Sequence, residues 1–380
     1  MNSINKTAVF ILVSASLSFC KVSQKSQKVV KIATQEAILK ALQWQEANPI
    51  FTKSPADWTN GAYYVGVVKA HQATKDTSYL EALQSMAIRN EWKPWERFFH
   101  ADDLIISYSY LYLSSLGEPS ANLKPTSDFI KDHLYKPYPW RDGIKGSTVE
   151  NNDPIEKKIL WWWCDALFMA PPVITNYSKQ MQDESLLKEM DKYYMQSYEL
   201  LYDKEEHLFA RDTRFLWTGK ATDIKEKNGK KVFWSRGNGW VMAGLALILS
   251  DMPKNYSNRF FYENLFKEMA QRIKELQPAD GLWRTSLLSP DSFDHGEVSG
   301  SGFYTFALAW GINNKLLNKA AYEPAVIKGW NAILKCQQLT GKVGWVQDIG
   351  ANPMPASEDS WQNFGTGAFL LAGTEFLKLK

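Results

Sequence analysis

The chain has 380 residues, 45% of them hydrophobic and 22% charged, with a net charge of +3. That length suits one large globular domain or two ordinary ones, and that composition excludes a disordered chain. No basic run interleaves with aromatics, which argues against nucleic acid as a partner, while 16 Trp and 17 Tyr supply stacking surface that suits a sugar ring and a core alike.

The first element is a leader. Lys6 precedes an apolar run from Ala8 to Phe19 broken by serines, the length of a secretory signal core and too short to span a bilayer. The run closes on Leu17-Ser18-Phe19-Cys20, which resembles a bacterial lipoprotein box with Cys20 as the lipidated first residue, although Phe19 stands where that pattern takes a small side chain. Residues 1–20 thus read as an export signal, 21–29 as a polar tether and 30–380 as a single domain. The expected location is periplasmic or on the outer membrane, with membrane contact only through Cys20. Cys164 and Cys336 are too few for a disulfide framework, and no Cys/His cluster at ligand spacing calls for a metal.

Beyond the tether, helical periodicity dominates, and about twelve helices are expected. They run from Val30 to Ala47, Trp58 to Thr74, Tyr79 to Trp92, Ala101 to Leu116, Thr126 to Leu134, Ile159 to Asn176, Glu184 to Leu201, Gly237 to Leu249, Phe260 to Glu275, Glu297 to Ile312, Ala320 to Cys336 and Trp361 to Leu379. Odd members such as Glu184 to Leu201 carry Lys and Glu on one face, whereas even members are rich in Gly, Ala and aromatics. Amphipathic helices outside and small-residue helices inside, paired as hairpins, describe an all-α (α/α)6 barrel. The long connection from Tyr202 to Phe233 is expected to hold a strand pair around His207 to Arg211 and to line a site.

Each even helix opens on an unusual cluster: Asp57-Trp58-Thr59-Asn60-Gly61, His100-Ala101-Asp102-Asp103, Trp161 to Asp165, Trp234-Ser235-Arg236-Gly237-Asn238-Gly239-Trp240, His295 to Gly302 with Ser301, and Ser360-Trp361-Gln362-Asn363. Inner helices running the same way would bring these ends to one mouth. The plainer reading makes Asp57, Asp102 and Ser360 helix caps and the glycines packing devices. Asp165 is the sharpest case, because helical spacing places it on a face with Trp161, Phe168, Met169 and Pro172. Burial raises a carboxyl's pKa, as a general acid requires, and the competing account is an aspartate bonded to backbone amides in the core. Asp102 or Asp103 would pair with it, and Arg236, between Trp234 and Trp240, offers a fork for a substrate carboxylate. No dinucleotide fingerprint or serine-hydrolase elbow is present.

The stretches Trp162-Trp163-Cys164-Asp165-Ala166-Leu167-Phe168-Met169-Ala170, Trp234 to Trp240, and Gly300-Ser301-Gly302-Phe303 with Phe306-Ala307-Leu308-Ala309-Trp310-Gly311-Ile312 resemble glycoside hydrolase family 105, the unsaturated rhamnogalacturonyl hydrolases and their relatives. The resemblance implies an (α/α)6 barrel that removes a 4,5-unsaturated uronic acid from oligosaccharides made by polysaccharide lyases, with no cofactor. It places the catalytic aspartate on Asp165 and a second on the Asp102-Asp103 pair, with Asp103 preferred because an aliphatic residue follows it. Substrate contacts fall on Arg236 and Trp240, and the clusters add Trp58, Asn60, His100, Trp234, Asn238, Ser301 and Trp361. Where family members acting on pectin sugars commonly have a histidine, this chain has Arg211, which suits an additional anion such as sulfate. The implied chemistry is vinyl-ether hydration: protonated Asp165 gives its proton to C4, and the carboxylate then activates water for C5. Fragments carrying 3-sulfated rhamnose, as in ulvan, are favoured over rhamnogalacturonan fragments. A lyase on the same toroid and a non-catalytic surface glycan-binding protein are the competing readings.

Overall fold

The computed structural model describes residues 29–51, 54–97, 99–136 and 158–379. The expected export signal, the lipidation site Cys20 and nearly all of the tether lie outside these residues. The helices are α1 (29–47), α2 (Trp58–Thr74), α3 (Thr77–Arg89), α4 (Ser107–Ser115), α5 (Lys124–Tyr135), α6 (Ala166–Met169), α7 (Pro171–Met181), α8 (Ser185–Leu201), α9 (Ser235–Asp251), α10 (Arg259–Glu275), α11 (Val298–Asn313), α12 (Lys319–Leu334) and α13 (Asn363–Leu377). Going round, α2 packs on α4, α4 on α7, α7 on α9, α9 on α11, α11 on α13, and α13 closes back on α2. The ring is the inner layer of an (α/α)6 barrel.

Burial separates the two layers as the composition requires. In α9 every residue from Ser235 to Leu249 is buried, and in α11 every residue from Val298 to Ile312, so these helices present no solvent face. By contrast α8 buries only Leu186, Leu187, Met190, Tyr194, Ser197 and Leu201, one stripe of an amphipathic helix. Helices touched on all sides approach closely only where side chains are small. A Cβ on Gly66 of α2 would stand 2.5 Å from the carbonyl oxygen of Gly367 in α13, so these backbones meet directly at the seam. Asp57 caps α2, its Oδ1 accepting from the amides of Thr59 at 3.0 Å and Asn60 at 3.2 Å, and Glu297 caps α11 through the amides of Ser299 and Gly300.

Several expected elements change form. The helix from Ala101 to Leu116 becomes a 3-10 turn, Ala101–Leu104, followed by α4. The helix from Ile159 to Asn176 is broken, so Asp165 sits on a turn immediately before the short α6. Two causes are visible: Pro171 and Pro172 lack the amides a continuing helix needs, and the Cys164 amide donates to the Arg211 carbonyl at 2.9 Å. The expected strand pair is present in the Tyr202 to Phe233 connection, β1 (Tyr202–Asp203) pairing antiparallel with β2 (Leu208–Phe209), the latter within the His207 to Arg211 stretch. Ser360 does not cap α13, because that helix begins at Asn363 after Gln362 and Ser360 bonds back to Ser357.

Since the oxygen that a Gly66 methyl would meet is main chain and the seam closes the ring, Gly66→Ala is expected to cost about 1–3 kcal/mol. Thermal unfolding of the purified variant measures it.

Candidate active site

At the amino-terminal mouth of the ring, a cavity of about 250 Å³ is lined by Trp58, Arg97, His100, Asp102, Trp162, Trp163, Asp165, Met169, Arg211, Trp234, Arg236, Trp240 and the segment Ile349-Gly350-Ala351. Four of the sequence clusters converge as expected. The clusters before α11 and α13 put no side chain into the wall: Ser301 accepts the Trp283 amide at 2.9 Å, and Trp361 packs edge-on against Trp44 at 4.7 Å. Asn60 faces its own helix start, donating to the Ile50 carbonyl at 2.9 Å and accepting from Asn363 at 3.0 Å.

Aromatic packing fixes the apolar half of the cup. Trp240 packs against Phe303 with centroids 4.2 Å apart and against Phe168 at 4.7 Å, and Trp58 stacks on Phe364 at 5.3 Å. His100 and Trp163 lie at 4.8 Å, and Trp163 touches Trp162 at 4.9 Å. These rings bury most of both carboxyl-bearing side chains, leaving 16% of Asp102 and 12% of Asp165 open, and such burial strengthens the charge interactions there.

The adjacent acids Asp102 and Asp103 have opposite fates. Asp103 is fully buried away from the cavity, accepting from the Arg97 amide at 2.8 Å and from its Nη2 at 2.6 Å. The expected preference for Asp103 as the second active-site acid is therefore corrected: residues one apart on a tight turn point to different sides, and Asp102 is the one that reaches the cavity. Asp102 keeps 16% of its side chain open, lies 3.6 Å from His100 Nδ1, and has no hydrogen-bond partner at Oδ1 among the described residues. Burial pushes its carboxyl up to about 7; the charges of Asp103 and Asp165 add to the rise, and Arg97 and Arg211 oppose it.

Asp165, 9% exposed, is raised by burial against the opposing charge of Arg211, whose Nε lies 3.4 Å from its Oδ2. The Cys164 thiol sits 3.5 Å from the same oxygen. Arg211 also donates to Asp212 at 2.7 Å, and Asp212 binds Arg214 at 2.6 Å. Burial alone would lower Arg211, but Asp165 and Asp212 outweigh it and hold the guanidinium more firmly charged. Arg211 is thus at the cavity as expected, with its first contacts inside the protein. Asn238, expected to touch substrate, instead clamps β2: its Oδ1 accepts the Phe209 amide at 2.7 Å and its Nδ2 donates to the Phe209 carbonyl at 3.0 Å. It sets the strand that delivers Arg211.

Arg236 has a different setting. Nη1 donates to the Gln347 carbonyl at 2.6 Å and Nη2 to the Asp348 carbonyl at 2.7 Å, while its plane lies between Trp234 and Phe364, 4.5 and 4.8 Å from their centroids. No ion pair neutralises it among the described residues, and burial pulls it down to about 10 although Glu297 and Asp165 oppose the fall. A buried cation without a carboxylate partner favours an anionic ligand. Sequence reading missed Arg97, did not single out Trp162 and Trp163 as contacts, and had no signal for the Ile349 to Ala351 segment.

The sequence profile described as Glycosyl Hydrolase Family 88 matches residues 26–380. The chain is 57% identical over 372 residues, 97% of each partner, to an unsaturated 3S-rhamnoglycuronyl hydrolase of Formosa agariphila. It is 35% identical over 325 residues to a protein of the same name from Alteromonas sp. (strain LOR), covering 84% of this chain and 77% of that one. Among solved structures it matches a protein named a polysaccharide lyase with a TM-score of 0.80 at 30% identity, covering 92% of this chain and 97% of the other.

A stability experiment isolates the buried acid. Asp102 has its carboxyl raised from 3.8 to about 7 in the fold. Its contribution is therefore fully present below pH 4 and is lost as pH rises through 7, where the folded chain must carry a desolvated charge. Asp102→Asn is expected to be more stable than the native chain at pH 8, by up to about 4 kcal/mol, with the difference vanishing near pH 4. Denaturant unfolding at the two pH values reads it.

Proposed function

The chain belongs to Glycosyl Hydrolase Family 88 and is a glycosidase, and from that premise we propose that it removes a 4,5-unsaturated uronic acid from the non-reducing end of lyase-generated oligosaccharides in which the next sugar is 3-sulfated rhamnose. The observation that carries the reading is the cavity itself: Asp102 and Asp165 in one desolvated cup, with Arg97, Arg211 and Arg236 on its wall. The names of the relatives at 57% and 35% identity support the sulfated substrate.

Asp102 and Asp165 line the same cavity, burial raises both carboxyls, and the charge of Asp165 adds to the rise at Asp102, so the site holds a proton toward neutral pH. Asp165 passes that proton to C4 of the unsaturated ring, leaving positive charge at C5 that the ring oxygen shares. The resulting carboxylate, steadied by Arg211, takes a proton from a water that bonds to C5. The product is a hemiketal whose ring opens, releasing the neighbouring sugar. Arg236 supplies the field for the uronate carboxylate, and Trp58 and Trp240 supply stacking faces. Asp102 holds the proton in the pair and delays its loss as pH rises.

Lyase digests of a sulfated rhamnose-glucuronate polymer and of rhamnogalacturonan serve as parallel substrates, followed by loss of double-bond ultraviolet absorbance. Asp165→Asn is expected to abolish that loss, by about 10³-fold or more, with circular dichroism unchanged. Turnover should decline above pH 7 in the native protein, and Asp102→Asn should move that limb to lower pH. Faster turnover of the pectin digest would overturn the substrate. A gain of absorbance on intact polymer would make the protein a lyase, and binding without any product would make it a glycan-binding protein.

A further inference from the structure

We propose that Arg97, held by Asp103, recognises the sulfate on the sugar next to the unsaturated ring. This rests on the function proposed above, in which the substrate brings two anionic groups to the cavity. Three guanidiniums line that cavity, and their commitments differ. Both terminal nitrogens of Arg236 are spent on main-chain carbonyls, in a pocket that leaves the side chain 1% exposed. Arg211 is ion-paired with Asp165 and Asp212.

Arg97 is set differently. Asp103 grips one edge of its fork, at 3.1 Å from Nε and 2.6 Å from Nη2, and fixes its backbone through the amide at 2.8 Å. Its plane rests on the Trp95 ring, 4.7 Å from the centroid. Nη1, on the other edge, makes no hydrogen bond among the described residues, and the side chain remains 20% exposed, against 0% for Asp103. A guanidinium immobilised on one edge and open on the other is pre-organised for a tetrahedral oxyanion, since the entropy of ordering it has been met within the fold. Asp103 is then a positioning residue that acts through Arg97, which gives the paired aspartates separate duties: Asp102 faces the reacting ring and Asp103 faces the arginine.

The test uses one unsaturated disaccharide with and without the 3-sulfate on its rhamnose, and reads kcat/KM for both. Native protein is expected to prefer the sulfated form. Arg97→Gln should cut that preference by about tenfold, chiefly through KM, the size of one charge-assisted hydrogen bond lost. Arg97→Lys, which keeps charge without the fork, should retain part of it. Because Arg97→Gln leaves Asp103 buried without its ion-pair partner, the double variant Arg97→Gln/Asp103→Asn is measured beside it and should show the same loss of preference. An equal loss on both substrates, or a preference that survives both variants, overturns the inference while leaving the proposed function standing. A native protein that turns over neither disaccharide overturns the function, and the inference with it.

Discussion

The seam between α2 and α13 is the contact on which the rest of the molecule depends. These helices begin some three hundred residues apart in the chain (Trp58 and Asn363) and meet with glycine backbones touching. A ring of helices is set only when its last member finds its first, and here the fit is main chain against main chain, with no side chain free to adjust. At the mouth the same seam continues as polar contacts, Asn363 donating to Thr59 at 3.1 Å and to Asn60 at 3.0 Å, and as the stack of Trp58 on Phe364. Trp58 and Phe364 in turn flank Trp240 and Arg236. Closure therefore sets the shape of the cup as well as the stability of the barrel.

Inside the cup, charge is managed by giving each ionic group a distinct environment. Asp103 and Asp212 are ion-paired within the protein, by Arg97 and by Arg211 with Arg214; burial still raises Asp103 against its arginine, whereas the two arginines hold Asp212 down. Asp102 and Asp165 remain partly exposed to the cavity and are raised by burial. The protein thus keeps, within a few residues of each other, carboxylates that stabilise its own arginines and carboxyls that hold a transferable proton.

Much of this was legible in the sequence. Alternation of amphipathic and small-residue helices gave the layering, and polar-aromatic clusters at helix starts located the mouth, because both are local patterns with a direct structural period. What failed did so for identifiable reasons. Asp165 was placed on a continuous helix because its apolar neighbours fit a helical period, whereas Pro171, Pro172 and the Cys164 bond to Arg211 break that helix. Asn60, Asn238, Ser301 and Trp361 carry chemistry suited to a site, yet backbone groups or other rings claim them first. Arg97 was missed because a lone arginine in an irregular loop has no pattern, and the decision between Asp102 and Asp103 turns on a 3-10 geometry that composition does not encode.

The main-chain hold on Arg236 has an evolutionary consequence. Its anchors are the carbonyls of Gln347 and Asp348, and any residue type supplies a carbonyl. The rim beside them, with Ile349 56% exposed, is therefore free to change its side chains while the cation beneath stays in register. Divergence among relatives can accumulate at the entrance, altering which sugars pass, at no cost to the electrostatics of the cup.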